Sequence, residues 1–166
     1  MAFKVVATPW GGRTDTDYPY EHEALRPLGI TIAIARADSD AEYVAQVKDA
    51  DAIMVGRGAQ GRPWFPGALA RYLTTGRRDE ALPLDRQCAM IAALYQEMLT
   101  HYGIAVGLRH ARKHLGWALD VAAAQARAPL DFLKQVRARV LTADQPAAVL
   151  ARLGEAFDAF GARLAA

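Results

Sequence analysis

Cysteine is nearly absent: Cys88 stands alone in 166 residues, which excludes a disulfide within the chain. No apolar run reaches the ~20 residues that a membrane span needs. The opening Met1-Ala2-Phe3-Lys4-Val5 has neither the basic region nor the long apolar core of a secretory signal. These absences predict a cytoplasmic protein with no membrane partner. Low-complexity tracts and internal repeats are also missing. Apolar residues make up 52% of the chain and charged residues 23%, a globular rather than a disordered composition. The length suits one ordinary domain or two small ones.

Positive charge is scarce at the start and plentiful later. Residues 1–50 hold 5 Lys+Arg against 8 Asp+Glu, and residues 51–166 hold 15 against 10. A chain that turns basic partway along can engage a polyanion with that part alone. The plainer alternative is a solvated, Arg-rich surface.

Periodicity divides the chain in the same way. Residues 3–7 read as a buried strand, and residues 8–17 as a Gly-, Asp- and Thr-rich loop. Residues 18–28 read as a helix stopped by Gly29, and the alternating Ile30–Ile34 as a second strand. Asp38-Ser39-Asp40 caps a short helix over 40–49, and 52–55 forms a third strand. The order β-α-β-α-β predicts a three-strand parallel sheet with right-handed crossovers and spatial order 2-1-3.

From residue 83 the period becomes helical. Leu84, Cys88, Ile91, Tyr95, Met98 and Tyr102 share one face, ended by Gly103. A second helix, 104–120, carries Ile104, Leu108, Ala111, Leu115 and Leu119 inward. Pro129 opens a third over 129–140. Asp144 caps a fourth, with Val149, Leu153, Phe157, Phe160 and Leu164 as its apolar stripe. Together they predict an all-α four-helix bundle. The expected divisions are a small α/β segment at 1–65, a connection at 66–82 and a helical domain at 83–166. The sheet's open edges leave room for a homo-oligomer.

Gly56-Arg57-Gly58-Ala59-Gln60-Gly61-Arg62-Pro63-Trp64 is the sharpest local motif. It follows a strand and precedes a short helix at 66–73. Glycines expose amide N–H groups, and such a nest beside a helix start can hold phosphate. Arg57 adds a charged donor. The spacing Gly56-x-Gly58-x-x-Gly61 also fits a dinucleotide fingerprint. That signature requires a further strand ending in an acid near Asp79 or Glu80, and Tyr72–Arg78 does not read as one. An ordinary strand-to-helix turn is the third alternative.

The wording "ADAIMVGRGAQGRPW", then "HYG", then "GLRHARKHLGWAL", resembles the tRNA-dihydrouridine synthases of the B type across residues 51–166. The resemblance implies a (β/α)8 barrel, of which 51–73 would be a remnant, followed by a C-terminal helical domain that grips tRNA. It implies an FMN reduced by NADPH, and hydride transfer to a uridine flipped out of tRNA. Gly56 and Arg57 correspond to the turn that binds the FMN phosphate. Arg109, Arg112, Lys113 and His114 correspond to the basic helix facing RNA. No catalytic residue carries over: the family's catalytic cysteine lies before the matched segment, and Cys88 falls on an apolar helix face. The family's flavin-contacting lysine, its histidine and its Asn-Gly-Asp turn also lack counterparts. The resemblance therefore implies tRNA binding without catalysis by this chain.

Residues 1–50 resemble the opening of a D-2-hydroxyacid dehydrogenase of the phosphoglycerate type, carried by "KVVATPW" and "YPYEHEALRPLGITIAIARADSDAEYVAQVKDADAI". That suggests a mosaic joined near Asp51. It keeps open an alternative function, an α/β small-molecule-binding or NAD-dependent 2-hydroxyacid dehydrogenase fragment. His110 and His114 are spaced i, i+4 as metal ligands can be, but Arg109 and Lys113 repel a cation, so no metal is expected. Trp117 is expected to pack inward.

Overall fold

A computed structural model describes residues 3–7 and 18–165; the predicted loop at 8–17 lies outside them. Two compact units emerge. One comprises residues 1–58 and 69–77, the other residues 59–68 and 78–166. This division is interleaved, whereas the sequence suggested the consecutive segments 1–65, 66–82 and 83–166.

The first unit is built on three short parallel strands, β1 (Lys4–Ala7), β2 (Thr31–Ile34) and β3 (Ala52–Met54), in the order β2-β1-β3. Lys4 aligns with Thr31 and Val5 with Ala52, which puts β1 between its partners. Consecutive strands of a closed barrel are neighbours. Here β2 and β3 are not, so the three strands have the order of an open doubly wound sheet.

Helix α1 (Pro19–Leu25) runs into a 3-10 turn at Arg26–Leu28. The chain stops at Gly29, whose φ of +68° only glycine adopts cheaply. Helix α2 (Asp40–Val47) starts where the Ser39 hydroxyl accepts a hydrogen bond from the Glu42 amide, 3.3 Å. Val6, Ala35 and Val47 form one small core under Ile53, Tyr43 and Leu73. Ala7, Tyr18 and Ile32 form another. Helix α3 (Phe65–Thr75) belongs to both units along its length.

The second unit holds α4 (Leu84–Tyr102), α5 (Ile104–Gln125), α6 (Leu130–Leu141) and α7 (Pro146–Leu164). Helix α4 packs on α5 and α7, and α6 packs on α5 and α7. One core gathers Ile91, Tyr95, Leu115, Leu119, Val140, Val149, Leu153 and Phe160, each at most 2% exposed. The predicted stripes supply nearly all of it. Three stripe residues at helix ends are exceptions and stay in solvent: Tyr102, Ile104 and Leu164, 48%, 61% and 52% exposed. Asp144 does not cap α7; Gln145 occupies that position with no side-chain hydrogen bond. Pro129 likewise sits at the cap of α6, one position before its first turn.

One polar cluster inside this unit had no sequence signature. Buried Gln87 donates to the Leu82 carbonyl and to Gln125 Oε1, both at 2.6 Å. Gln125 donates to the same carbonyl at 3.2 Å. The pair fastens the approach to α4 onto the end of α5. Two unpaired amides in an apolar core would be costly, which is why they bond to each other.

Candidate nucleic-acid interface

Helix α5 sorts its residues by face. Ala111, Leu115, Gly116, Ala118 and Leu119 are buried. Arg109, Arg112 and Lys113 are exposed, and His114 and Trp117 are half-buried. At about 100° per residue the three cations share one side, and Ala111, Leu115 and Ala118 turn away from them. The structure brings together three of the four candidate RNA-facing residues on one solvent face. His114 stands at its margin.

The margin is aromatic. Lys113 Nζ lies 4.8 Å from the Trp117 ring centroid. His114 meets the same ring edge-on at 5.4 Å. Burial lowers the His114 pKa, and Lys113 and His110 lower it further. The ring is therefore neutral at neutral pH and adds hydrogen-bonding capacity, not charge. His110 stacks on Tyr102 with centroids 5.2 Å apart. Both members of this pair are exposed.

Helix geometry puts Gly116 among the cations, three and four residues after Lys113 and Arg112. It is buried all the same, because a side chain from α6 covers it. A Cβ there would stand 3.2 Å from Arg137 Nη2 and 3.3 Å from Nη1. Arg137 Nη1 donates to the Gly116 carbonyl at 2.7 Å and pairs with Asp120 at 2.6 Å. Arg137 lies in another helix, twenty-one residues on, so no local pattern could have connected it with Gly116.

The glycine turn divides its labour. Gly56 has open space where a Cβ would be, and Arg57 beside it is exposed. An amide and a guanidinium in that setting fit a phosphate group. Gly61 does something different. Its φ is +68°, and a Cβ there would fall 2.3 Å from the Trp117 carbonyl oxygen. The third glycine is thus fixed by close packing on α5 and is closed to a ligand. Arg62 lies over the Phe65 ring at 5.1 Å. No strand follows β3 among the described residues, so the ribose-binding half of a dinucleotide fingerprint is missing there.

Cys88 is half-buried on α4. Burial and then Asp158 raise its pKa, which keeps the thiol protonated.

Comparison with known proteins places the chain in a family. The family model "Dihydrouridine synthase (Dus)" matches residues 32–152. A probable tRNA-dihydrouridine synthase from Rhizobium leguminosarum bv. phaseoli is 39% identical over 152 residues, covering 89% of this chain and 43% of that protein. One from Rhodobacter capsulatus is 42% identical over 140 residues, 81% of this chain and 40% of the relative. The tRNA-dihydrouridine synthase B of Escherichia coli K12 is 40% identical over 95 residues, 57% and 28% respectively. The chain spans less than half the length of these curated relatives. The family match begins at residue 32 and crosses Asp51, so the likeness to the synthases starts upstream of the join suggested by the sequence.

Proposed function

Since the chain belongs to the dihydrouridine synthase family, we propose that residues 83–166 form a helical-bundle tRNA-binding domain whose RNA-facing helix is α5. The observation that carries this reading is the row Arg109, Arg112 and Lys113, all exposed, backed by the buried Ala111, Leu115 and Ala118. Cations in a row on a rigid helix meet successive phosphates, and affinity then follows RNA shape more than base sequence. His114 contributes from the margin as a neutral hydrogen-bonding group. The parent enzymes' reaction is the NADPH-dependent, FMN-mediated reduction of uridine in tRNA in the cytoplasm; this chain supplies binding to it and no catalytic residue.

Gly56 and Arg57 would hold the phosphate of FMN, which supplies hydride chemistry when bound. The match to this group goes no further than the phosphate, because buried surface around a ring system gives most ligand affinity. We therefore expect the purified chain to be colourless, with flavin only weakly retained. Stoichiometric yellow protein overturns that expectation.

The α5 reading is tested by titrating tRNA into the chain over a salt series. Micromolar, salt-sensitive binding is expected. Arg109→Ala/Arg112→Ala/Lys113→Ala together should reduce the log–log salt slope by roughly 0.7–0.9 for each cation removed. A folded triple variant that binds as well as the parent removes the reading.

A second reading, an α/β small-molecule-binding or NAD-dependent 2-hydroxyacid dehydrogenase fragment, draws on the strand order β2-β1-β3. Calorimetric titration with NAD separates it from the first.

A further inference from the structure

We propose that Arg137, on α6, is a fourth phosphate-binding cation, lying across Gly116 as the continuation of the α5 row. The inference rests on the α5 reading above and extends it to a second helix. From Gly116, Arg109, Arg112 and Lys113 lie seven, four and three residues back, all on one helical face. Arg137 reaches that face from α6. Its Nη2, Nη1 and Cζ lie 3.2, 3.3 and 3.5 Å from where a Gly116 Cβ would stand, so the guanidinium lies flat over the glycine.

The bonds that hold it use only part of it. Both run from Nη1, to the Gly116 carbonyl and to Asp120. A guanidinium carries five N–H donors in a fixed fork. Nε and Nη2 make no hydrogen bond to any other described residue. The side chain is 35% exposed, so the unspent donors are held in place and reachable by solvent. An exposed arginine normally loses rotamer entropy when it binds; this one is already fixed by two bonds and a glycine floor.

Asp120, 48% exposed, offsets the charge locally. A lone anion therefore gains little here. A strand already held by Arg109, Arg112 and Lys113 arrives at high effective concentration. That selects a sugar-phosphate backbone over a small free anion.

Two variants of the full chain test this by tRNA titration against salt, with melting curves for each. Arg137→Gln keeps length and polarity and removes charge. It should lower the log–log slope by roughly 0.7–0.9, the value of one phosphate neutralised. Gly116→Ala leaves the charge but makes the guanidinium give way by a few tenths of an ångström, and should weaken tRNA binding at low salt. If both fold and bind with the parent's affinity and slope, Arg137 only links two helices and the inference is wrong. In that case weakened binding by the α5 triple variant still upholds the α5 reading. If the triple variant binds normally while Arg137→Gln lowers the slope, the α5 reading fails by itself.

Discussion

His114 and Cys88 show how burial at single positions changes what a residue can do. The pKa of His114 is lowered in the folded chain, so the unfolded chain binds the proton more readily below the ordinary value of 6.5. Stability therefore rises with pH through this window and is lost as pH falls from 6.5 toward the folded value. Denaturant melts between pH 5 and 7.5 should show that dependence, and His114→Gln should flatten it. An unchanged slope in the variant would assign the effect to another group. Cys88 is shifted the other way, upward. Thiol-specific reagents should label it at neutral pH several times more slowly than a free cysteine of pKa about 8.5. Cys88→Ser should leave tRNA affinity unchanged. Labelling as fast as the free thiol contradicts the burial argument.

Elements in this protein are joined where glycine allows backbones to touch. Gly61 presses on the Trp117 carbonyl. Gly107 lies where a Cβ would be 2.8 Å from the Met98 carbonyl oxygen, which lets α4 and α5 approach closely. At Gly61 an added methyl meets backbone, which cannot swing aside, and the positive φ adds strain of its own. Left-handed backbone costs a non-glycine residue about 1–2 kcal/mol, and overpacking a further 1–3 kcal/mol or so. Gly61→Ala should thus destabilise the helical unit by about 3 kcal/mol, read from chemical denaturation. By contrast Gly154→Ala, at an open helical position in α7, should be neutral or stabilise by up to about 1 kcal/mol. Equal effects at both sites would mean that the packing on Trp117 does not bear on stability.

On the scale of the whole chain, membership of the dihydrouridine synthase family does not by itself bring the family's reaction. The chain covers 43% of its relative from Rhizobium, and its lone thiol lies on an apolar helix face. Uridine reduction needs a positioned flavin and an acid on the other face of the base. Incubation of this chain with tRNA, FMN and NADPH should therefore yield no dihydrouridine, while tRNA binding persists. Dihydrouridine above a no-protein control by mass spectrometry would show that a competent site exists. No helix among the described residues is long and apolar enough to cross a membrane.

Local chemistry alone determined most element boundaries and the family. The stripes on α4, α5 and α7 are written at helical spacing, and burial follows them because turning an apolar face inward is the dominant favourable term. The strand order 2-1-3 followed from right-handed crossovers between parallel strands. The exposed row Arg109, Arg112 and Lys113 was legible for the same reason, since helix geometry fixes which residues share a side. Gly116 was not. It shares the side of the exposed cations, and a guanidinium from another helix covers it. Gly61 fitted a phosphate-binding pattern, yet its conformation is set by a carbonyl fifty-six residues away. Gln87 gave no signal at all, because a buried amide becomes evident only beside its partner Gln125. These three depend on segments distant in the chain coming together, and only tertiary packing decides which atoms meet there.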